Sequence, residues 1–250
     1  MDDKIEFLNI VCFKWGDPYP SEEVNIMQAM VDRNLSVPHA FHCVTDNPEG
    51  LDESIIAHPL PKTGARGLHQ KLLAFSDDFL GLNGQFAVFL DIDMVIVGSL
   101  DFLADDPQKD LIITRNWAGA NRTEKFFRGN STFYRLKIGS HTEVWEKLLT
   151  DSDDFMWGDQ EWISEVIDDL DYFPNEKVVS YKYHCGARSF KMFGSWGTRL
   201  GLTTASFIRA HAPRGASVVS FHGHPLPREV RDGRYRHWKQ AQFVLDHWHR

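Results

Sequence analysis

Phe86-Ala-Val-Phe-Leu-Asp91-Ile-Asp93-Met-Val-Ile-Val-Gly98 sets two carboxylates, two residues apart, inside the longest apolar run of the chain. Read as a buried strand, its period of two turns Asp91 and Asp93 toward one face, with Ile92 between them. An ionised carboxylate in such a place is costly unless a cation or several donors compensate it. Hard oxygen ligands with no cysteine close by suit Mg²⁺ or Mn²⁺, which keep several waters and take substrate phosphates as further ligands. The plainer reading is a strand end whose aspartates cap the next turn; the apolar flanks on both sides weigh against it.

Working outward, the first half alternates apolar strand-like runs with helical stretches. Ile5 to Phe13 reads as a strand that stops at Lys14-Trp15-Gly16-Asp17-Pro18. Ser21 is placed to cap a helix reaching about Arg33, with Glu22 and Glu23 in the first turn, where the helix dipole favours them. Ala40 to Thr45 reads as a second strand ending at Asp46-Asn-Pro-Glu-Gly, and Ile55-Ile56 as a short third. Gly64 to Gly67 forms a turn before a helical stretch from about Leu68 to Phe75, and Phe86 to Leu90 delivers Asp91. This order predicts an α/β fold: a mostly parallel, doubly wound sheet with flanking helices, whose ligands gather at the carboxyl ends of strands. Lys14, Thr45, Asp46 and Asp91 all belong to that edge.

The second half is less regular. Leu111 to Thr114 and Phe133 to Leu136 read as strands, and Ser140-His-Thr-Glu143 as a capping box before a helix carrying Val144, Trp145, Leu148 and Leu149. Trp157-Gly158-Asp159-Gln160-Glu161-Trp162 is a helix entry flanked by aromatic walls able to hold a sugar or a base; the plainer role for Asp159 is N-capping. Val178 to Tyr181 and Val218 to Phe221 are late strands. The second of these leads into His222-Gly223-His224, where a histidine can complete a metal shell or serve only as a loop residue. With no repeat or linker, residues 1–250 read as a single domain. Residues 183–216 read as an acceptor loop or lid.

Composition narrows the class. The formal charge of −8 argues against nucleic acid as a partner. Cys12, Cys43 and Cys185 lack metal-site spacing and read as reduced thiols, which fits a cytoplasmic protein. The opening Met-Asp-Asp-Lys-Ile-Glu has no basic region or apolar core, and no uncharged stretch reaches the ~18 residues of a spanning helix, so neither classical export nor a membrane span is expected. Trp238, Ala241, Leu245 and Trp248 recur at helical spacing in a basic C-terminal stretch. They predict an amphipathic C-terminal helix, docked on the core or in peripheral contact with the inner membrane face or a lipid-linked acceptor. Lys71 and Arg66 are the cations nearest the Asp-x-Asp run, and Lys14 and Trp15 offer charge and a stacking face.

Together these motifs resemble GT-A-fold glycosyltransferases, most closely the glycogenin and bacterial galactosyltransferase type, family 8. Lys71-Leu72, the strand ending Asp91-Ile92-Asp93 and the following Ser-Leu-Asp101-Phe-Leu are similar to the family's metal-binding Asp-x-Asp segment and its lead-in. Gly129-Asn130-Ser131 resembles its sugar-contacting turn. Asp159-Gln160-Glu161 resembles Asp-Gln-Asp beside the reacting sugar carbon, and Phe221-His222-Gly223 resembles the segment with the late histidine that ligates Mn²⁺. Departures stand beside the matches. Ser164 replaces the usual asparagine, His-x-x-Gly is shortened to His222-Gly223, and the lysine expected beyond it is missing, with His224 nearby.

The resemblance implies a glycosyltransferase using a nucleotide-diphosphate sugar, with retention, and a carbohydrate or lipid-linked acceptor. It implies metal ligands Asp91, Asp93 and His222 for Mn²⁺ or Mg²⁺, and Asp159 and Gln160 at the reacting carbon. It implies donor contacts from Lys14, Trp15, Thr45, Asp46, Lys71, Ile92, Asn130 and Gly223. Residues 1–105 then form the nucleotide-binding half and residues 106–250 the acceptor and catalytic half. Two other readings stay open. Asp91-Ile-Asp93-Met-Val95 also fits the nucleophile strand of a haloacid-dehalogenase-type phosphatase, although that nucleophile normally ends its domain's first strand. The third is a non-catalytic nucleotide-sugar-binding module.

Overall fold

The computed structural model describes residues 4–62, 67–117, 128–151, 158–188 and 209–250. The turn over Gly64 to Arg66, Trp157 and most of the expected acceptor loop over 183–216 lie outside them. The chain divides into two compact units: residues 1–25, 35–92 and 101–175, and residues 26–34, 93–100 and 176–250.

The first unit is built on a seven-stranded sheet in the order β3-β2-β1-β4-β7-β6-β8. Its strands are β1 (Leu8–Lys14), β2 (His39–Thr45), β3 (Ile56–Pro59), β4 (Phe86–Leu90), β6 (Leu111–Arg115), β7 (Gly129–Lys137) and β8 (Asp171–Tyr172). All run parallel except β7, which pairs antiparallel with both β4 and β6. The mostly parallel doubly wound sheet read from the sequence is therefore present. Every residue of β1 is buried, as a strand covered on both faces requires. Tyr134 is central to the core, its ring stacked on Phe89 at 4.7 Å and on Phe75 at 5.8 Å.

Local expectations meet the structure unevenly. Helix α1 (Ser21–Asn34) starts where the acidic first turn placed it. The Ser140 capping box does not form. The Ser140 hydroxyl donates to the Lys137 carbonyl, His141 adopts φ +53°, and α2 (Glu143–Asp151) begins later, with the Thr142 carbonyl accepting from the Trp145 and Glu146 amides. Gly158, not Asp159, is the N-cap residue of α3 (Asp159–Val166). Trp162 is no ligand wall, since it is buried and donates its indole N–H to the Val144 carbonyl. Gly129-Asn130-Ser131 opens β7 rather than forming a turn.

A polar chain runs through this sheet from β4 to β3. Asn9 Nδ2 donates to Gln85 Oε1, Asn9 Oδ1 meets His42 Nε2 at 3.2 Å, and His42 Nδ1 meets His58 Nε2 at 2.9 Å. Burial, aided by His58, pulls His42 down to about 4, so the folded protein keeps it neutral. The unfolded chain takes up this proton near pH 6.5 and the folded chain only near pH 4. Stability is therefore full above pH 6.5 and falls as pH drops toward 4, by an expected ~2 kcal/mol. Urea unfolding at pH 7 and pH 4.5 checks this, and His42→Gln should reduce the loss by that amount.

The second unit holds a three-stranded sheet, β5-β10-β9. It consists of β5 (Met94–Ile96), β10 (Val218–Ser220) and β9 (Val178–Ser180), with β10 antiparallel to β5 and parallel to β9. Short α4 (Tyr181–His184) follows β9, and its fully buried Tyr181 stacks on Phe221 at 4.4 Å. The expected amphipathic C-terminal helix is present but short, Gln242–His247, and leaves Trp238 and Ala241 before it. Trp238 lies before it, its backbone bridged to Tyr235 and Arg188, while the Lys239 amide donates to Ala187 and the Ala241 amide to Val230. Those pairings use the groups that a longer helix would need. Arg33 of α1 donates to the His247 and His249 carbonyls and ties down the C-terminal segment. No helix among the described residues is long and apolar enough to cross a membrane.

Candidate functional site

The deciding apolar run is not one strand. β4 stops at Leu90 and β5 starts at Met94 in a different sheet, so Asp91-Ile92-Asp93 is the junction between them. This corrects the expectation of two carboxylates on one strand face. A continuous central strand would bury both without donors, whereas a junction frees the backbone to aim each toward its own partners.

Asp91 ends β4 at the carboxyl edge of the seven-stranded sheet. Its amide donates to the Thr132 carbonyl at 3.0 Å and its carboxylate pairs with the Lys71 ammonium. Lys71 comes from the 3₁₀ stretch Gly67–Phe75. One residue before Thr132, the Ser131 hydroxyl donates to Asp159 Oδ2 at 2.9 Å, which fixes a buried carboxylate at the first residue of α3. Neighbouring β7 residues thus hold Asp91 and Asp159. Both act on Tyr134: burial pushes its phenol well above the ordinary value, and the charges of Asp159 and Asp91 add to that. Asn130 Oδ1 accepts from the Thr132 amide, and Gln160 Nε2 donates to Glu161 Oε1.

The ends of β1 and β2 carry the other residues expected at this edge. Lys14 is buried and donates to the Asn47 carbonyl at 3.3 Å. Thr45 Oγ1 bonds the Asn47 backbone, and Asp46 Oδ2 accepts from the Gly16 amide at 2.9 Å. Trp15 packs edge-on against Phe13 with centroids 6.5 Å apart. These contacts shape two adjoining loops at the carboxyl ends of parallel strands, where open α/β sheets bind ligands. Ile92 is buried, so only its backbone is available to a ligand.

In the second unit, Asp93 is fastened to the segment after β10. Its carbonyl accepts from the Phe221 amide at 3.0 Å and its Oδ2 from the Gly223 amide at 2.7 Å. The tight turn this needs puts His222 at φ +40° and Gly223 at φ +83°, the latter a conformation that suits glycine. His222 Nε2 lies 2.7 Å from Ser180 Oγ, and its ring lies over that of Tyr183 at 6.0 Å. Burial first, then the Lys182 ammonium, pulls His222 down to about 4, so the ring is a neutral imidazole at pH 7. The sequence reading missed Lys182, whose Nζ donates to the His222 carbonyl at 3.0 Å. A lone lysine in Tyr-Lys-Tyr-His carries no motif, and only tertiary pairing of β9 with β10 brings it here.

Asp91 and Asp93 contribute hard oxygens and His222 a neutral nitrogen, donor types that suit Mn²⁺ or Mg²⁺. As they stand, no three His, Cys, Asp or Glu side chains among the described residues are grouped to hold a metal ion.

No protein-family model and no curated protein matches the sequence. Solved structures do match the fold. The galactosyltransferase LgtC, crystallised with donor and acceptor sugar analogues, is similar at TM-score 0.55 and 13% identity, over 88% of each chain. The apo form of the glycosyltransferase GlyE from Streptococcus pneumoniae TIGR4 is similar at TM-score 0.60 and 14% identity, over 95% of this chain and 59% of that one. The bifunctional glycosyltransferase WbbM gives TM-score 0.62 and 10% identity, over 98% of this chain and 49% of that one. This chain therefore has the GT-A fold, and it spans about half to three fifths of the length of the latter two.

Proposed function

We propose that this protein is a glycosyltransferase that moves a sugar from a nucleotide-diphosphate sugar to a carbohydrate or lipid-linked acceptor, with retention of configuration. What carries the reading is the Asp91-Ile92-Asp93 junction: one aspartate is paired with Lys71 at the sheet's carboxyl edge, and the other is bonded to the turn that carries His222. The fold shared with glycosyltransferases adds to it. In this reading Asp91, Asp93 and His222 hold Mn²⁺ or Mg²⁺. When bound, the metal supplies Lewis-acid neutralisation of the leaving diphosphate and a template for it.

The chain's own residues do the rest. Lys71, beside Asp91, would share the diphosphate charge. Lys14, Trp15, Thr45 and Asp46 shape the nucleotide pocket. The Ile92 and Gly223 backbones and the Asn130 amide line the donor site. Asp159, oriented by the Ser131 hydroxyl, and Gln160 face the reacting sugar carbon. Residues 1–105 supply the nucleotide-binding half and residues 106–250 the acceptor and catalytic half of a single GT-A-like domain. Peripheral contact with the inner membrane face would use the basic C-terminal stretch, six Lys or Arg against three Asp or Glu in residues 226–250.

The test is nucleotide release from UDP-, GDP- and dTDP-sugars, with a CMP-sugar as the monophosphate control. One diphosphate class should release nucleotide with Mn²⁺ and stop with EDTA; no release from any of them, with or without added acceptors, would overturn the reading. The phosphatase reading is disfavoured because β4 is the fourth strand in chain order, not the first. Metal-dependent hydrolysis of an aryl phosphate would restore it.

A further inference from the structure

A half-buried ammonium normally sits against a carboxylate, because burial without a counter-charge is unfavourable. Lys182 departs from this. It is half-buried, and among the described residues its Nζ forms no ion pair and donates one hydrogen bond, to the neutral His222 carbonyl. The Asp93 carboxylate favours its charge without forming an ion pair with it.

Its position is nevertheless fixed. The Lys182 amide donates to Ser180 Oγ, the same oxygen that meets His222 Nε2. The carbonyl it binds belongs to the turn whose Gly223 amide binds Asp93. Lys182, His222, Asp93 and Ser180 are thus one connected cluster, and the ammonium keeps two further N–H donors. His224, the basic group that the sequence offers in this turn, is tied to Glu229 at 2.9 Å.

We propose that Lys182 binds the distal phosphate of the leaving nucleoside diphosphate, and so makes the site select diphosphates over monophosphates. The proposal rests on the donor class inferred above. An anionic oxygen against Nζ supplies a direct partner of opposite charge, which no carboxylate among the described residues provides, and a charge-assisted bond there is stronger than a neutral one. Nearby Tyr183 is 56% exposed, with its ring over His222.

Calorimetric titration with UDP, GDP and dTDP, each against its monophosphate, in Mn²⁺, tests this on the wild type and on Lys182→Gln and Lys182→Arg. The expected result is a diphosphate affinity 10- to 100-fold weaker in Lys182→Gln, a monophosphate affinity within about threefold of wild type, and partial recovery in Lys182→Arg. Equal losses for both nucleotides, or no loss, would overturn the assignment while leaving the donor class standing. Wild-type protein that binds none of the six nucleotides would overturn the functional reading and this inference with it. A measurement on the unaltered protein guards against a variant that misfolds. The bound diphosphate should protect Lys182 from acetylation by acetic anhydride, read by mass spectrometry, and the monophosphate should not; equal labelling under both would also refute the proposal.

Discussion

Asp91→Asn should lower sugar transfer by roughly a hundredfold to a thousandfold and leave the protein folded. Removing one well-placed electrostatic partner of a developing charge costs about that much, and a direct metal ligand is worth no less than a supporting one. The substitution keeps the size of the side chain and the amide bond to Thr132, which is a backbone contact. It removes the charge that Lys71 pairs with, and a mostly buried charge-assisted contact of this kind contributes about 1.5–3 kcal/mol, which a folded domain can lose. Activity and stability should therefore separate. Transfer rate at saturating Mn²⁺ and the unfolding midpoint, measured on the same preparation, check this. Full activity would remove Asp91 from the mechanism, and a collapse of the midpoint would make its role structural.

Arg135→Leu is expected to act in the opposite manner, on the fold and far from the chemistry. Arg135 is the largest fully buried side chain among the described residues and lies on β7, between β4 and β6. Its Nη1 donates to the Leu103 carbonyl at 2.6 Å and to that of Asp105, and its Nη2 to Asp106 at 2.7 Å and Lys109 at 3.2 Å. One guanidinium thus satisfies four carbonyls of the connection into β6, with Phe86 stacked at 5.0 Å. Burial pulls its proton affinity down to about 10, offset in part by Asp106 and Asp105, so it stays charged at pH 7. A leucine fills part of the volume and leaves those carbonyls without donors, at an expected cost of 3–5 kcal/mol, roughly. Set against a typical total of about 5–15 kcal/mol, that brings the domain near its unfolding threshold. Denaturant titration should show the loss. A change under ~1 kcal/mol would mean the loop refolds around water.

How much of this was legible in the sequence follows from where each signal resides. β1, β2 and β4 were readable because a strand buried on both faces writes itself as an unbroken apolar run, and α1 because its acidic first turn marks its start. The break at Asp91-Ile92-Asp93 was not, since the apolar run continues through it to Val97 and the change of sheet depends on β10, more than a hundred residues later. Ser140 and the C-terminal tryptophans satisfied helical patterns, but their neighbouring backbone groups were claimed by Lys137, Tyr235 and Ala187. Arg135 could have been found by the logic applied to Asp91 and Asp93, as a charge within Phe133-Tyr-Arg-Leu136. Lys182 could not, because only the pairing of β9 with β10 brings it beside His222.

Binding of UDP, GDP and dTDP to the wild-type protein, followed by thermal unfolding with Mn²⁺ and then with EDTA, tests the central claim most directly. One nucleotide at about 100 times its Kd should stabilise the protein by roughly 2.7 kcal/mol in Mn²⁺, and that gain should vanish in EDTA. No shift with any of the three in Mn²⁺ would contradict a metal-dependent nucleotide-sugar site built on Asp91, Asp93 and His222.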